Sequence, residues 1–357
     1  MTLHPADLSL ARIVAQRLAG LPLADPATVV AHLGCVQGQD LPGALTSVAL
    51  RTAERSLAGV RRALDEAKVV RTWPMRGTLH LVPARDAAWM CGLTAPRMDA
   101  HAARRRAELG LTEQMSSAAG EIAVAAIRAD GPQTRAELLA RWEPEGFTEV
   151  SGRGYHLLSQ LSYRGILTQG PMTADGRTEQ RFVVLEDWVP ELERPEREQA
   201  LARWAELYFG SHGPATRADF ARWTGLTMTD VRLGIAGATG LTRQEIDGVE
   251  HWFAEELPDL LADHRRAAGA PLLLPGFDEL ILGYADRSCT LDRDHEQLVV
   301  PGRNGVFKPT VIHRGKAVGT WKRVRRSAGD RLETRALGEL KLPSDRQLDR
   351  AFEQLPR

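Results

Sequence analysis

Residues 131–142 have the sequence GPQTRAELLARW, and residues 213–223 have the closely similar sequence GPATRADFARW. The two copies begin 82 residues apart, a spacing that suits a small domain and is too long for one unit of a solenoid. In each copy, Gly-Pro follows a helical stretch, and a threonine precedes an acidic residue by three positions. This pattern predicts a helix that begins with a capping box. The two predicted boxes pair Thr134 with Glu137 and Thr216 with Asp219.

The same kinds of element follow both copies of the repeat. Each copy precedes a further helical stretch, at residues 150–165 or 227–238, and then two strand-like stretches joined by a turn. A Gly/Asp-containing loop joins the first pair of strands, and Asp247-Gly248 predicts a tight turn in the second pair. Helices followed by a β-hairpin in this order are typical of a winged helix.

The N-terminal region contains a third, more divergent copy. Residues 8–18, 26–37 and 56–70 are predicted helices, residues 71–83 the wing, and residues 86–128 connecting helices. The C-terminal third is predicted to be β-rich in residues 272–288 and 304–324, with a hairpin whose tip is HRGK (313–316). The fold prediction is therefore α+β, with three tandem winged-helix (helix-turn-helix) domains and a C-terminal β-rich portion. The predicted domains are residues 1–128, 129–190 and 191–357.

The net charge of the chain is zero, with 46 basic and 46 acidic residues, but the charges are segregated along the sequence. From Arg303 to Arg326 the chain has no acidic residue, and a second basic cluster lies at Arg97 and residues 104–106. Eight basic residues occupy the first segment: Arg303, Lys308, Arg314, Lys316, Lys322, Arg323, Arg325 and Arg326. A neutral protein of this kind can still present a basic face.

Other features of the chain narrow its class. The N-terminus lacks the apolar core of a signal peptide, and no apolar run is long enough to span a membrane. Cys35, Cys91 and Cys289 are far apart and form no CxxC pair, which argues against a zinc site and for a reducing compartment. We therefore predict a cytoplasmic protein without a membrane partner.

Winged helices place a helix in the DNA major groove and a β-wing on the backbone or in the minor groove. The basic hairpin would neutralise phosphates, and its tip is a candidate minor-groove probe. A plain structural wing is the alternative for this hairpin. The candidate DNA contacts in the C-terminal third are Lys308, His313, Arg314, Lys316, Lys322 and Arg323.

Four segments resemble one family, the AlkZ-like (azinomycin-resistance) winged-helix DNA glycosylases. They are VQGQD (36–40), TWPMRGTLHLVP (72–83), LLPGFDELILGYADR (273–287) and NGVFKPTVIHRGKAVGTWKR (304–323), which extend from the first predicted domain to the last. The resemblance implies that a Gln-x-Gln motif lies in the active site of the crosslink-processing branch, whereas a related branch has Gln-x-Asp. Gln37 and Gln39 match the first form, with Gly38 in place of the expected aliphatic residue.

Glutamine suits the chemistry that the resemblance implies. N7-alkylation makes a purine cationic, so its glycosidic bond is already activated and the base need not be protonated. An amide can accept from and donate to a water molecule, and residues two apart on an extended segment point the same way. Gln37 and Gln39 are therefore the predicted catalytic residues, with Asp40 as a candidate helper. Without the resemblance, they would be two polar loop residues at the end of a helix.

Several other residues have a structural alternative. Arg76 and His80 are candidate DNA contacts near the active site, but Arg76 could brace the wing and His80 could be a core histidine. Trp73 and Trp321 are predicted to pack rather than stack on bases. The carboxylates of residues 278–286 are predicted to cap turns and to pair with Arg287 rather than to catalyse.

The predicted function is a monofunctional DNA glycosylase that releases N7-alkylated purines, including those in interstrand crosslinks, for DNA repair or resistance to a genotoxic natural product. The predicted partner is double-stranded DNA carrying alkylated purines, the protein would act as a monomer, and no metal or organic cofactor is implied. The alternative function is that of a non-enzymatic winged-helix DNA-binding protein, either a transcriptional regulator or a damage-binding scaffold. A regulator usually binds palindromes as a symmetric dimer.

Overall fold

A computed structural model describes residues 2–173, 179–302, 305–327 and 329–357. It divides the chain into two compact units, of which unit 1 comprises residues 1–60 and 201–357 and unit 2 comprises residues 61–200. The predicted segment 1–128 is therefore split between the two units. Arg303 of the basic segment, Asn304 and residues 174–178 of the predicted Gly/Asp-containing loop lie outside the described residues.

Unit 1 begins with short helices around one very short strand. Pro26 opens the second helix after Asp25, whose carboxylate accepts the backbone N–H of Thr28 at 2.9 Å, and the predicted start of this helix is confirmed. A further helix after Asp40 was not predicted. The elements are α1 (Leu8–Ala15), α2 (Pro26–Leu33), β1 (Val36–Gln37), α3 (Leu41–Ala49) and α4 (Leu57–Asp65), the last of which continues into unit 2.

Unit 2 combines antiparallel strands with helices. Its strands lie side by side in the order β3-β2-β4-β5, and its core includes the buried Trp73, Leu138, Trp142 and Leu161. Trp73 is thus a packing residue, as predicted. The elements are β2 (Val69–Met75), β3 (Thr78–Pro83), α5 (Ala87–Glu108), α6 (Glu113–Asp130), α7 (Arg135–Trp142), α8 (Arg153–Tyr163), β4 (Leu167–Met172), β5 (Gln180–Val184) and α9 (Leu185–Trp188).

The chain returns to unit 1 within a long helix and ends in a mixed region. Strands β11-β10-β9-β8 form one antiparallel sheet, and β6 pairs with β7. The elements are α10 (Arg197–His212), α11 (Arg217–Thr224), α12 (Met228–Gly237), β6 (Leu241–Ile246), β7 (Val249–Ala254), α13 (Leu257–Ala268), β8 (Leu272–Leu274), α14 (Glu279–Leu282), α15 (Glu296–Val299), β9 (Thr310–His313), β10 (Lys316–Arg326), β11 (Gly329–Ala336) and α16 (Asp345–Glu353).

Both predicted capping boxes are confirmed. The backbone N–H of Glu137 donates to Thr134 Oγ1 at 3.2 Å, and the N–H of Thr134 donates to the Glu137 carboxylate at 2.7 Å. Thr216 and Asp219 make the same pair of bonds at 2.8 and 3.1 Å. The turn between β6 and β7 is also as predicted, since Asp247 and Gly248 both have positive φ. The order of three helices and a hairpin thus recurs in α6-α7-α8-β4-β5 and in α10-α11-α12-β6-β7.

The C-terminal third departs from the prediction in two places. Residues 272–288 contain only the short strand β8, because Asp278 accepts the backbone N–H of Leu280 at 3.0 Å and starts the helical turn α14. The predicted hairpin exists, with His313 opposite Lys316, but its second strand continues far beyond β9 and pairs with β11. This additional ribbon, β10–β11, was not predicted.

Candidate active site and DNA-contact residues

The two predicted catalytic glutamines lie at the end of β1 in unequal surroundings. Gln37 is buried, with 5% of its surface exposed, whereas Gln39 is exposed. The extended conformation expected for the motif stops at Gln37, because the backbone N–H of Gln39 bends back and donates to Gln37 Oε1 at 3.1 Å. This bond fixes which way the Gln37 amide faces.

Gly38 and Asp40 complete this segment. Gly38 is buried and is not among the residues with positive φ, so its backbone conformation is one that an aliphatic residue can also adopt. Asp40 is half-buried at the N-terminus of α3, and its carboxylate makes no capping hydrogen bond. A Cβ atom at Gly43 would lie 2.5 Å from Asp40 Oδ2, so the glycine lets this carboxylate lie close against the first turn of α3.

A buried carboxylate lies directly behind the glutamines. Glu279, with no exposed surface, accepts the backbone N–H of Gln37 on Oε1 at 2.9 Å and the indole N–H of Trp223 on Oε2 at 3.0 Å. Its neighbour Asp278 makes two hydrogen bonds with the buried guanidinium of Arg51, at 2.9 and 3.0 Å. These carboxylates lie within one of the segments that carry the family resemblance, and only the fold reveals their partners.

The predicted pairing of the 278–286 carboxylates with Arg287 is wrong. Asp278 caps α14 and binds Arg51, and Asp286 pairs with Arg293 at 3.3 Å. Arg287 instead forms an ion pair with Glu296 at 2.5 Å. The capping part of the prediction is confirmed for Asp278, and Asp286 accepts the backbone N–H of Ser288 at 2.9 Å in a turn.

Arg76 and His80 contact each other in the β2–β3 hairpin of unit 2. His80 is fully buried, and its Nδ1 lies 2.9 Å from the carbonyl oxygen of Thr78, to which it donates. Its Nε2 therefore accepts from the half-buried Arg76 guanidinium at 3.1 Å. This is the arrangement of a neutral core histidine, which was the structural alternative for this residue.

Within unit 1, the HRGK tip of the β9–β10 hairpin packs against α1 and the end of α13. Arg314 and Gly315 form the two-residue turn, both with positive φ. The Arg314 N–H donates to the Gly269 carbonyl at 3.1 Å, and Ser9 Oγ donates to the Gly315 carbonyl. Lys316 Nζ lies 3.4 Å from the Asp292 carboxylate. A tip held in this way does not project as a probe, although the side chains of Arg314 and Lys316 are exposed.

The remaining predicted contacts lie on either side of that turn. Burial and the charge of Arg314 lower the pKa of His313, so the positive charge of the hairpin at neutral pH comes from its arginines and lysines. Lys308 is exposed before β9, and Lys322 and Arg323 are exposed on β10. Lys322 pairs with Glu333 at 2.7 Å, and Arg323 lies 3.5 Å from Asp330. Trp321 packs against the C-terminal core and donates to the Leu274 carbonyl at 2.8 Å, as a packing residue would.

Residues 30–357 match the family model of AlkZ-like DNA glycosylases. The chain belongs to the AlkZ-like DNA glycosylase family. It is therefore a DNA glycosylase, an enzyme that cleaves the bond between a base and its sugar in DNA.

A curated relative and a solved structure, both from Streptomyces sahachiroi, illustrate the relationship. An "interstrand DNA cross-link repair glycosylase" is 29% identical over 309 residues, which cover 82% of this chain and 81% of the relative. The solved structure of the S. sahachiroi DNA glycosylase AlkZ aligns with a TM-score of 0.83 at 24% identity and covers 99% of this chain and 96% of that one. The second similarity shows that the two chains share a fold.

Over the described ranges, three or more His, Cys, Asp or Glu side chains never come together in a way that could hold a metal ion. Within the same ranges, no helix is both long enough and apolar enough to cross a membrane.

Proposed function

We propose that this glycosylase hydrolyses the N-glycosidic bond of N7-alkylated purines in duplex DNA, including those joined in interstrand crosslinks. The name of the S. sahachiroi relative supports the crosslink substrate. The observation that carries the proposal is the Gln37 amide, buried and oriented by Gln39 beside an exposed second glutamine.

The chemistry requires only modest assistance from the protein. Water attacks C1′ of the sugar, the C1′–N9 bond breaks, and its electron pair neutralises the cationic purine as the base leaves. The water loses a proton to the solvent, and an abasic site remains. Two neutral amides can position such a water molecule and stabilise the developing sugar charge. Ordinary purines lack the positive charge, so they would not react at a site of this kind.

Recognition of DNA is assigned in this proposal to winged helices and basic strands. The recurring order of three helices and a hairpin supports winged helices at α6–β5 and α10–β7, with β2–β3 as the wing of a divergent N-terminal copy. Phosphate contacts are proposed for Lys308, Arg314, Lys316, Lys322 and Arg323, with lesser contributions from His313 and Arg76. The buried His80 would act only by holding the Arg76 guanidinium. Unequal copies suit a monomer bound at a lesion rather than a symmetric dimer on a palindrome.

The test is base release from a duplex that carries a nitrogen-mustard crosslink between guanine N7 atoms, with an N7-methylguanine duplex and an unmodified duplex in parallel. We expect wild-type protein to release alkylated guanine and to leave unmodified DNA intact. Gln37→Ala and Gln39→Ala should each lower the single-turnover rate by about 100-fold or more, the usual scale for loss of a transition-state contact. Binding to the same duplex should be retained.

Gln354→Ala, on the exposed end of α16, is the matched control and should release base at the wild-type rate. Tight binding by wild-type protein without release from either alkylated duplex would contradict the proposal and favour a damage-binding scaffold. Release of N7-methylguanine alone would restrict the activity to monoadducts.

A further inference from the structure

A histidine and a glutamate meet in the interior of unit 1 next to Gln37. His212 and Glu279 have no exposed surface, and His212 Nε2 lies 3.5 Å from Glu279 Oε2. This distance is within ion-pair range, but the two atoms do not form a regular hydrogen bond. Within the described part of the chain, Nε2 has no hydrogen-bond partner. A buried ring nitrogen that lies beside a carboxylate without a hydrogen bond requires an explanation.

The protons around His212 can be assigned from its neighbours. Ser211 Oγ donates its only proton to the Leu207 carbonyl at 2.6 Å. The same oxygen lies 2.8 Å from His212 Nδ1 and must therefore accept from it, so Nδ1 carries a proton. In a neutral ring, Nε2 would then point its lone pair at the carboxylate. A proton on Nε2 converts this repulsion into attraction.

The surroundings of the ring favour a cation. Tyr208 stacks on the imidazole with ring centroids 4.7 Å apart and an interplanar angle of 12°. The rings of Trp223 and Tyr284 lie at 5.1 and 6.1 Å, and aromatic faces attract positive charge. Gly283 permits this packing, because a Cβ atom at that position would lie 2.8 Å from His212 Cδ2.

The carboxylate side of the pair is arranged for a negative charge. Glu279 accepts N–H donors from Gln37 and Trp223 on its two oxygens, and donors to the ionised form favour ionisation. Other charged or titratable groups around the pair include the Arg51–Asp278 and Arg12–Asp219 ion pairs, His32, and the hydroxyls of Tyr208 and Tyr284. Burial raises the pKa of both tyrosines, so both stay protonated.

We propose that Glu279 and His212 form a buried carboxylate–imidazolium pair that positions Gln37. The hydrogen bond from the Gln37 N–H to an ionised carboxylate is charge-assisted and therefore short and directional. It holds the end of β1 against α14, and the buried indole of Trp223 holds the other oxygen of the same carboxylate. Glu279 is thus a positioning residue, and its effect on catalysis rests on the proposed function of Gln37.

The charge state of the pair is tested first, by a measurement that does not depend on activity. Histidine ring nitrogens are recorded by NMR in ¹⁵N-labelled full-length protein at about pH 8, where exposed histidines are neutral. Loss of a resonance pair in His212→Gln identifies the His212 signals. We expect His212 to have both nitrogens protonated in wild-type protein and only Nδ1 protonated in Glu279→Gln. A neutral His212 in wild-type protein would overturn the pair.

The positioning role is tested by single-turnover release of N7-methylguanine. Glu279→Gln should lower the rate about 10- to 100-fold, the scale seen when a residue that orients a reacting group is lost, with the Kd for DNA unchanged. In this variant the new amide NH₂ replaces the oxygen that accepts the Trp223 N–H, so two donors face each other. The double variant Glu279→Gln/Trp223→Phe removes that conflict, so it should regain stability but not rate. Recovery of the rate with stability would show that packing alone matters and overturn the role.

Asp219→Asn is the control for loss of an equally buried carboxylate. Asp219 has 1% of its surface exposed and accepts the N–H groups of Thr216 and Ala285. We expect this variant to lose stability while its rate per folded molecule stays at the wild-type value. A lack of base release by wild-type protein would defeat the proposed function, while the NMR result would still decide the charge state of the pair.

Discussion

Among single residues near the candidate site, Arg51 makes six hydrogen bonds through its guanidinium. Its guanidinium has no exposed surface and donates to Asp278, to Ser47 and to both the carbonyl and the side chain of Gln16. The Arg51–Asp278 ion pair therefore joins the end of α1, α3 and the start of α14. A buried ion pair whose remaining donors are all used is costly to break from one side, because the surviving charge stays in the interior.

Arg51→Met should lower the free energy of unfolding by about 3–5 kcal/mol, the range for breaking a buried pair. The measurement is urea unfolding followed by tryptophan fluorescence. Arg243→Met removes the exposed partner of Glu250 and should cost less than about 1 kcal/mol. If the two variants lost equal stability, Arg51 would not anchor these helices.

The interactions of single side chains could be predicted from the sequence only where both partners are close together in the chain. The capping boxes at Thr134 and Thr216 have both partners within three positions, so the sequence contains the whole interaction. The partner of Gln37, by contrast, is 242 residues away in the chain at Glu279. The partner of Arg51 is 227 residues away at Asp278. No periodicity or spacing encodes such a contact, and the resemblance alone pointed to the glutamines.

At the level of elements, β10 has two parts with different surroundings. Its first residues pair with β9 as far as Thr320, and the Trp321 N–H still donates to the Pro309 carbonyl at 3.2 Å. The part from Lys322 to Arg326 pairs with β11. Arg325 and Arg326 are exposed at the end of this ribbon. Lys316, near the docked turn, already contacts Asp292 and the Ser288 carbonyl.

We therefore expect the end of the ribbon to contribute more to DNA binding than the HRGK tip. Arg325→Ala/Arg326→Ala should weaken binding to any duplex sequence and reduce the slope of log K against log salt by about 2, since each phosphate contact accounts for roughly 0.9. Lys316→Ala should change the slope less. Arg346→Ala on α16 is the control, and affinities would be measured by fluorescence anisotropy from low to high salt. A larger effect at Lys316 would favour the tip instead.

The elements missed by the sequence analysis share a physical cause. Residues 272–288 are rich in leucine and isoleucine, and a short apolar run fits a buried strand or a buried helical turn equally well. The start of α3 carries Asp40 and Pro42 as helix signals, but its nine residues lie between two other predicted helices, at residues 26–37 and 56–70. Strand β11 has five charged or polar residues among eight, so it has no apolar alternation and depends on β10 for its pairing.

For the molecule as a whole, His32 makes stability depend on pH. Burial, together with the positive charges of Arg17, His212 and Arg51, lowers the pKa of His32 to about 4, although its hydrogen bond to the Ala15 carbonyl acts in the opposite direction. In the unfolded chain this pKa returns to about 6.5. Between these values the unfolded chain binds more protons, so stability falls as the pH decreases from about 6.5 towards 4.

His32→Gln should flatten this dependence. A shift of this size corresponds to roughly 3–4 kcal/mol at most, at 1.36 kcal/mol for each pH unit. The glutamine amide can still donate to the Ala15 carbonyl but cannot take up a proton. The measurement is the difference in Tm between the variant and wild type at a series of pH values from neutral to about 4.5. His101→Gln, at an exposed position, should follow wild type throughout. If His32→Gln did the same, His32 would not be the source of the pH dependence.

Because the Arg314-Gly315 turn is held in place, strand β10 resembles a beam that is fixed at one end and free at the other. One end is fastened through Ser9 and the Gly269 carbonyl, and beyond Trp321 the two-stranded ribbon continues for five residues, about 17 Å. Leu332 and Phe352 brace its base within the C-terminal core. A lateral push by DNA on Arg325 or Arg326 would therefore deflect the free end most, and the load would be borne where the ribbon leaves the C-terminal core. Shortening the ribbon by deleting one residue pair from each strand should stiffen it and narrow the range of groove widths that it can follow.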